Sequence, residues 1–138
     1  MTTHEKALAL SKRLSEINEG SIPVISRDTM LLRKKRAALT RAFFKTLGIK
    51  GVRVRLAKGA NCFWVDLIIP QLDHDRALHT APNKSFVDCL RECPGCIYRE
   101  RTALSLEEIL QRAFPKEVDN SDPQSDYFDY PWGIHYYE

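Results

Sequence analysis

Residues 52–69, VRVRLAKGANCFWVDLII, decide the fold class of this chain. Apolar and basic residues alternate at 52–56, which is the pattern of a half-buried strand. A short segment around Gly59 follows, and then a mostly apolar run ends at Ile69. Two such runs joined by a glycine-containing segment predict an antiparallel hairpin.

A turn near Gly59 gives this hairpin one register that suits both of its faces. Val54 then lies opposite Val65 on an apolar face, and Arg53 lies opposite Asp66 on the other face. Apolar partners on one face and opposite charges on the other both favour this pairing, so we expect the apolar face to carry the core.

Two helices are predicted before the hairpin. Residues 4–18 place apolar side chains at helical spacing, and Gly20 follows as a stop signal. A second helix is predicted from Asp28 to Gly48, with an apolar stripe and an almost purely cationic solvent side.

The elements after the hairpin are predicted from weaker signals. Residues 84–93 suggest a short helix that Pro94 and Gly95 would end, and residues 97–101 alternate like a third strand. A capping box at 105–108 predicts a last helix that runs to Phe114.

Together these elements predict one α+β domain over residues 1–138. Its parts are an N-terminal helix and connector (1–26), an α+β core (27–116) and an acidic aromatic C-terminal segment (117–138). We expect a small antiparallel sheet of three to four strands with helices packed on one face, together with an N-terminal helical pair.

Charge is divided unevenly along the 138-residue chain, whose net charge is +3. Residues 1–70 carry fourteen Lys and Arg against five Asp and Glu, whereas residues 71–138 carry seven against thirteen. A basic half predicts contact with a polyanion. The alternative is a dipolar surface that is neutralised within the molecule.

No segment has the uninterrupted apolar length of a signal peptide core or of a membrane span, so we predict a cytoplasmic protein with no membrane association. In a reducing compartment, four cysteines favour thiols or metal ligands over disulfides.

The most specific motif is Cys89-x3-Cys93-x2-Cys96, with Pro94 and Gly95 inside its second gap. The last four residues resemble one knuckle of a zinc ribbon, and a fourth ligand would complete a tetrahedral zinc site. The candidates for that position are Cys62, His74, His79 and His135. Zinc is the candidate cofactor, and its candidate ligands are Cys89, Cys93, Cys96 and Cys62.

Three other interpretations of these cysteines stay open. They could be small buried hydrophobic residues. They could form a redox pair, although we expect Cys93 and Cys96 to follow a helix C-terminus, where the helix dipole disfavours a thiolate. The spacing also resembles that of radical S-adenosylmethionine enzymes, but the residues after Cys96 contain no glycine-rich segment to bind that cofactor.

The basic helix and the hairpin together predict a surface that contacts nucleic acid. Cationic side chains around an aromatic ring suit phosphates and a stacked base, without sequence specificity. The alternative is a solvated face on which Arg55 stacks on Trp64. The predicted contact residues are Arg33, Lys34, Lys35, Arg36, Arg53, Arg55, Lys58 and Trp64.

The C-terminal segment offers a second class of function, because it combines six acidic residues with several aromatic ones and has no Lys or Arg. Aromatic anchors between carboxylates are typical of a protein-binding regulator or inhibitor. The alternative is that Trp132, Ile134 and Tyr136 form a final strand. The predicted anchors are Tyr127, Phe128, Tyr130, Trp132 and Tyr136.

No nucleophile elbow, P-loop, zinc-protease or dinucleotide motif occurs in the sequence, so we assign no catalytic residue. Residues 30–70, a basic helix followed by a Val-x-Val hairpin, resemble the helix-strand-strand modules called large polyvalent protein-associated domains of mobile elements. The resemblance implies a plasmid or phage context. The sequence therefore favours a small accessory protein that contacts nucleic acid.

Overall fold

The structure, a computed structural model, describes residues 2–28, 31–56, 65–74, 92–115 and 132–136. These segments contain three helices and a three-stranded sheet, a small α+β fold that confirms the predicted class. The elements are α1 (Thr3–Glu16), a single 3₁₀ turn (Glu19–Ser21), α2 (Arg33–Leu47), β1 (Arg53–Leu56), β2 (Val65–Ile69), α3 (Pro94–Ala113) and β3 (Trp132–Tyr136).

Strands β1 and β2 form the predicted antiparallel hairpin, but in a register two residues away from the expected one. Val54 lies opposite Leu67, and Arg55, not Arg53, lies opposite Asp66. A shift of two residues leaves every side chain on its predicted face, because side chains alternate with a period of two. The apolar pattern therefore selects the faces and does not select between registers of the same parity.

The third strand differs from the prediction in position and in direction. β3 pairs with β2 in parallel, with Val65 opposite Trp132 and Ile69 opposite Tyr136, so the described sheet is mixed with the order β1-β2-β3. A parallel pair needs a long crossover connection, and α3 lies within it. The prediction of a strand at residues 97–101 is wrong, since these residues lie in α3.

Helix α3 begins where the sequence predicts a helix to end. Cys93 is its N-cap residue, and Pro94 lies in its first turn. Proline is tolerated there because the first helical N–H groups have no partner within the helix. The helix continues through Ser105, so the capping box predicted to open a new helix lies within it. The predicted helix at 84–93 lies mostly outside the described residues.

The N-terminal helices occur as predicted, with tighter boundaries. The Thr2 side chain accepts a hydrogen bond from the Glu5 backbone and the Glu5 side chain accepts one from Thr2, which closes a capping box on α1. Helix α2 ends at Gly48, whose φ of 72° is the left-handed conformation that glycine adopts readily. Arg13 of α1 donates from Nε to the Leu47 carbonyl at 2.9 Å, which ties the two helices together.

The main core lies between one face of the sheet and the helices, as predicted. Phe43 and Phe44 of α2 and several residues of α3 pack on alternate strand residues, including Leu67. Trp132 of β3 is buried in the same cluster. Among the described residues, no helix combines the length and apolar character needed to cross a bilayer.

We expect Leu67→Ala to lower the free energy of unfolding by about 2–5 kcal/mol, because it removes a fully buried side chain from the central strand. Leu56→Ala is the matched control, since Leu56 lies in the same hairpin but is 38% exposed. Urea denaturation of both variants measures the difference. An equal loss in both would contradict the position of the core.

Candidate metal centre

Three side chains of the kinds that bind metal ions in proteins meet where strand β2 ends and helix α3 begins. His74 Nδ1 lies 3.4 Å from Cys93 Sγ and 3.5 Å from Cys96 Sγ. The three donor atoms all lie within 4.8 Å of one another. We call these residues the His74–Cys93–Cys96 cluster, and it is a group that could hold a metal ion.

The local sequence of the two cysteines accounts for their approach. Cys93 caps α3 and Cys96 lies in its first turn, so the start of the helix turns both side chains toward the same region. Neither forms a disulfide, and both are buried, with exposed fractions of 0% and 6%. A Cys-x2-Cys spacing at a helix start is thus a compact pair of sulfur donors.

Gly95 lets the helix start approach the segment that carries the histidine. A Cβ atom on Gly95 would lie 2.7 Å from His74 Nδ1 and 2.8 Å from the Asp73 carbonyl oxygen. Both distances are well below van der Waals contact, so only glycine fits here without displacing the chain. In the Pro94-Gly95 pair, the proline therefore starts the helix, and the glycine allows residues 72–74 to pack closely against it.

A small apolar cluster supports the same segment from the side. Leu72, two residues before the histidine, packs with Ala7 of α1 and Tyr98 of α3, and all three are buried. This cluster fixes the backbone that leads to His74 against two helices. The position of the imidazole is therefore set by packing on both sides of the site.

The observed distances fit tetrahedral coordination of zinc. Zn–S bonds of about 2.3 Å and Zn–N bonds of about 2.1 Å give a sulfur-to-nitrogen edge of about 3.6 Å. The two measured edges of 3.4 and 3.5 Å lie close to this value. The N-terminus of α3 also contributes partial positive charge, which stabilises negative charge on coordinated sulfurs.

The position of the cysteine pair changes one step of the sequence argument. We expected Cys93 and Cys96 to follow a helix C-terminus, where the dipole disfavours a thiolate. Glu92, just before the pair, is helical, but the pair also opens α3, a helix start that the sequence did not predict, so the dipole of α3 favours a thiolate there. Proline followed by glycine can end one helix or begin another, and the local pattern alone does not separate these cases.

The predicted metal ligands are partly brought together. Cys93 and Cys96 share a site, and His74 joins them as one of the candidates named for the remaining position. Cys89, Cys62 and His79 lie outside the described residues. His135 is elsewhere, with its Nε2 at 3.2 Å from Asp66 Oδ1.

The predicted nucleic-acid contacts divide into three groups. Lys34, Lys35, Arg53 and Arg55 are exposed, and Arg33 is half-buried. Arg36 is only 1% exposed and donates from Nη2 to the Leu31 carbonyl at 3.3 Å, so the prediction that it faces solvent is wrong. Its long stem lies on the core side of α2. Lys58 and Trp64 lie outside the described residues.

The C-terminal aromatic residues include a core residue. Trp132 is 8% exposed and belongs to the main core. The alternative that residues 132–136 form a final strand is therefore confirmed, and burial removes Trp132 from any exposed anchor surface. Tyr136 lies in the same strand, opposite Ile69. Tyr127, Phe128 and Tyr130 lie outside the described residues.

No protein-family model, curated protein or solved structure matches this chain. The resemblance of residues 30–70 to mobile-element modules therefore stays a prediction from sequence pattern. Two features of the described structure bear on function: the His74–Cys93–Cys96 cluster and the exposed cations of α2 and β1.

We expect Gly95→Ala to destabilise the protein by about 1–3 kcal/mol, because the new methyl group would press on the backbone that carries His74. Thermal unfolding measures the loss. Gly20→Ala is the control, since its Cβ would meet only the Asn18 side chain, at 3.4 Å. An unchanged melting temperature in Gly95→Ala would contradict the close packing.

Proposed function

We propose that this chain is a zinc-binding protein in which His74, Cys93 and Cys96 are ligands of a structural zinc ion. The observation that carries the proposal is the approach of both sulfurs to one imidazole nitrogen at 3.4 and 3.5 Å. Two thiolates and an imidazole form a donor set that zinc binds strongly, whereas magnesium and calcium prefer oxygen ligands.

We assign the fourth ligand to Cys89. It precedes Cys93 by four residues, so the chain easily reaches the cluster, and it completes the Cys3His set found in structural zinc sites. Cys62 is the competing sulfur from the sequence. Four protein ligands leave no open position for water or substrate, so the proposed role is structural and not catalytic.

Such a zinc ion would join the segment after β2 to the start of α3. Both segments belong to the connection between β2 and β3. A metal that binds the folded chain and not the unfolded one stabilises it by about 4 kcal/mol when present at a thousand times its dissociation constant. The main core is large enough that we expect the metal-free chain to be weakened and not fully unfolded.

We expect the untagged protein to contain one zinc ion per chain, measured by elemental analysis in reducing buffer. Removal by a chelator should lower the melting temperature by about 10 °C, from about 4 kcal/mol of lost binding free energy. Cys93→Ser and His74→Ala should bind zinc weakly, whereas His135→Asn should bind it like the wild type. Absence of stoichiometric metal together with no stabilisation by added zinc would overturn the proposal.

The fourth ligand is tested separately by cobalt substitution, because thiolate-to-cobalt charge transfer reports the number of sulfur ligands. Cys89→Ser should reduce this absorption by about one third, the share of one sulfur in a Cys3His set. Cys62→Ser should leave it unchanged. The reverse result would assign the position to Cys62. Unchanged absorption in both variants would contradict both assignments.

A second proposed function is non-specific contact with nucleic acid, which makes the chain a small accessory protein. Its support is the exposure of most of the described cations on α2 and β1, including Lys34, Lys35 and Arg53. Clustered cations on one region of a surface attract the phosphate backbone independently of sequence. Lys58 and Trp64 keep the predicted roles of phosphate contact and base stacking.

We expect the full chain to bind labelled duplex DNA or RNA at low ionic strength, measured by fluorescence anisotropy. Affinity should fall at least tenfold from about 50 to about 200 mM salt, because bound lysines and arginines release counterions. No binding at about 20 mM salt would overturn this second function and would leave the zinc proposal unaffected.

A further inference from the structure

The region between Asp28 and Asp66 has an unusual charge composition. Residues 29–65 contain ten Lys and Arg and no Asp or Glu. This region includes all of α2 and β1. Negative charge that could neutralise its surface must therefore come from other parts of the chain.

Helical geometry aligns three of these cations along one side of α2. Lys34, Arg41 and Lys45 are spaced by seven and four residues, so they lie on the same side of the helix and span about 16 Å of its length. The exposed residues beside them, Ala38 and Ala42, have small side chains. An extended polyanion can therefore approach this side without meeting bulky groups.

A groove open to solvent continues the line of cations between α2 and strand β1. Arg41, Lys45 and Lys50 line it together with apolar residues that include Phe44 and Ile49. We call the cations of this helix side and of the groove, Lys34, Arg41, Lys45 and Lys50, the edge stripe. The groove also touches Val54 of β1, which is an edge strand of the described sheet.

Arg41 is held in place at the centre of the edge stripe. Its Nε and Nη2 atoms donate to the Val54 carbonyl oxygen at 3.1 and 2.8 Å. These bonds use two of the five N–H donors of the guanidinium group and fix its charge at the edge of β1. A positioned guanidinium loses little side-chain entropy when it binds a phosphate.

The lysines of the edge stripe are available for an external anion. Within the part of the chain that the structure describes, no carboxylate lies within ion-pair distance of Lys34, Lys45 or Lys50. Arg55 differs, because its Nε lies 3.3 Å from Asp66 Oδ2. Arg53 and Arg55 also lie on the sheet face opposite to the core, away from α2.

We propose that the edge stripe is the surface that binds the phosphodiester backbone of nucleic acid, a refinement that rests on the second proposed function. Three of its cations lie along one side of α2, which suits the extended line of phosphates in a nucleic-acid backbone, and alanines beside them leave room for that backbone. A membrane surface fits less well, because an interfacial helix inserts its apolar face into the bilayer, and the apolar face of α2, with Phe43 and Phe44, is buried in the main core.

The experiment compares two sets of variants in the full-length chain by anisotropy across a salt series. One set removes the lysines of the edge stripe (Lys34→Gln, Lys45→Gln and Lys50→Gln together), and the other removes Arg53 and Arg55 (both to Gln). Arg41 is kept because it bonds to β1. The control is Lys6→Gln with Lys12→Gln, two exposed lysines on α1. Unchanged thermal unfolding confirms that each variant is folded.

Four phosphate contacts predict a slope of log affinity against log salt of about −3.6 for duplex and about −2.8 for single strands. The edge-stripe variant should lose more than tenfold in affinity and most of this slope, since each lost contact removes about 0.9 on a duplex. The arginine variant and the α1 control should each stay within about threefold of the wild type. Parallel DNA and RNA probes identify which phosphodiester is preferred.

Loss of binding in the arginine variant with retention in the edge-stripe variant would overturn this inference and leave the second function standing. Equal losses in all three variants, including the α1 control, would also overturn it, because they would indicate a general charge effect. Absence of binding by the wild type would overturn both. Stronger edge-stripe-dependent binding to anionic lipid vesicles than to nucleic acid would overturn the assigned partner.

Discussion

The parallel pairing of β3 with β2 is the constraint on which the rest of the described structure depends. Parallel neighbours cannot be joined by a tight turn, so the chain must cross back over the sheet, and α3 lies in that crossover. A crossover helix begins near the carboxyl end of the strand that precedes it. The start of α3 therefore returns to residues 70–74, and this return brings Cys93 and Cys96 to His74. The His74–Cys93–Cys96 cluster therefore lies within the crossover between β2 and β3.

The central position of β2 also explains how the buried charge of Asp66 is compensated. All five of its residues are buried, including Asp66 at 7% exposure. Arg55 from β1 and His135 from β3 both contact the Asp66 carboxylate, so its neighbours on both sides contribute partners. A buried carboxylate without such partners would be costly. Arg55 is thus partnered by Asp66, whereas no described carboxylate lies within ion-pair distance of Lys34, Lys45 or Lys50.

Sequence reasoning succeeded where the signal is periodic and local. Apolar spacing predicts the two N-terminal helices and the hairpin. It also predicts which side chains of the hairpin face the core, because a register shift of two residues leaves every side chain on the same face. It failed where one local sequence pattern is compatible with two different tertiary arrangements. Arg36 is an example, because a basic residue in a basic helix gives no sign that its stem packs against the core. The motif Cys93-Pro94-Gly95-Cys96 identifies a sulfur pair, but nothing in it signals that a helix starts there, as α3 does.

The sequence by itself determined the α+β class, the basic and apolar sides of α2, the hairpin and the presence of a metal-type cysteine pair. These properties depend on side-chain chemistry and on spacings of a few residues. Only the tertiary structure decided the hairpin register, the parallel third strand and the approach of His74 to the two cysteines. His74 and Cys93 are separated by nineteen residues, and their approach depends on the close packing of Gly95 against residues 72–74. Such a contact is set by how whole elements pack, so no local spacing encodes it.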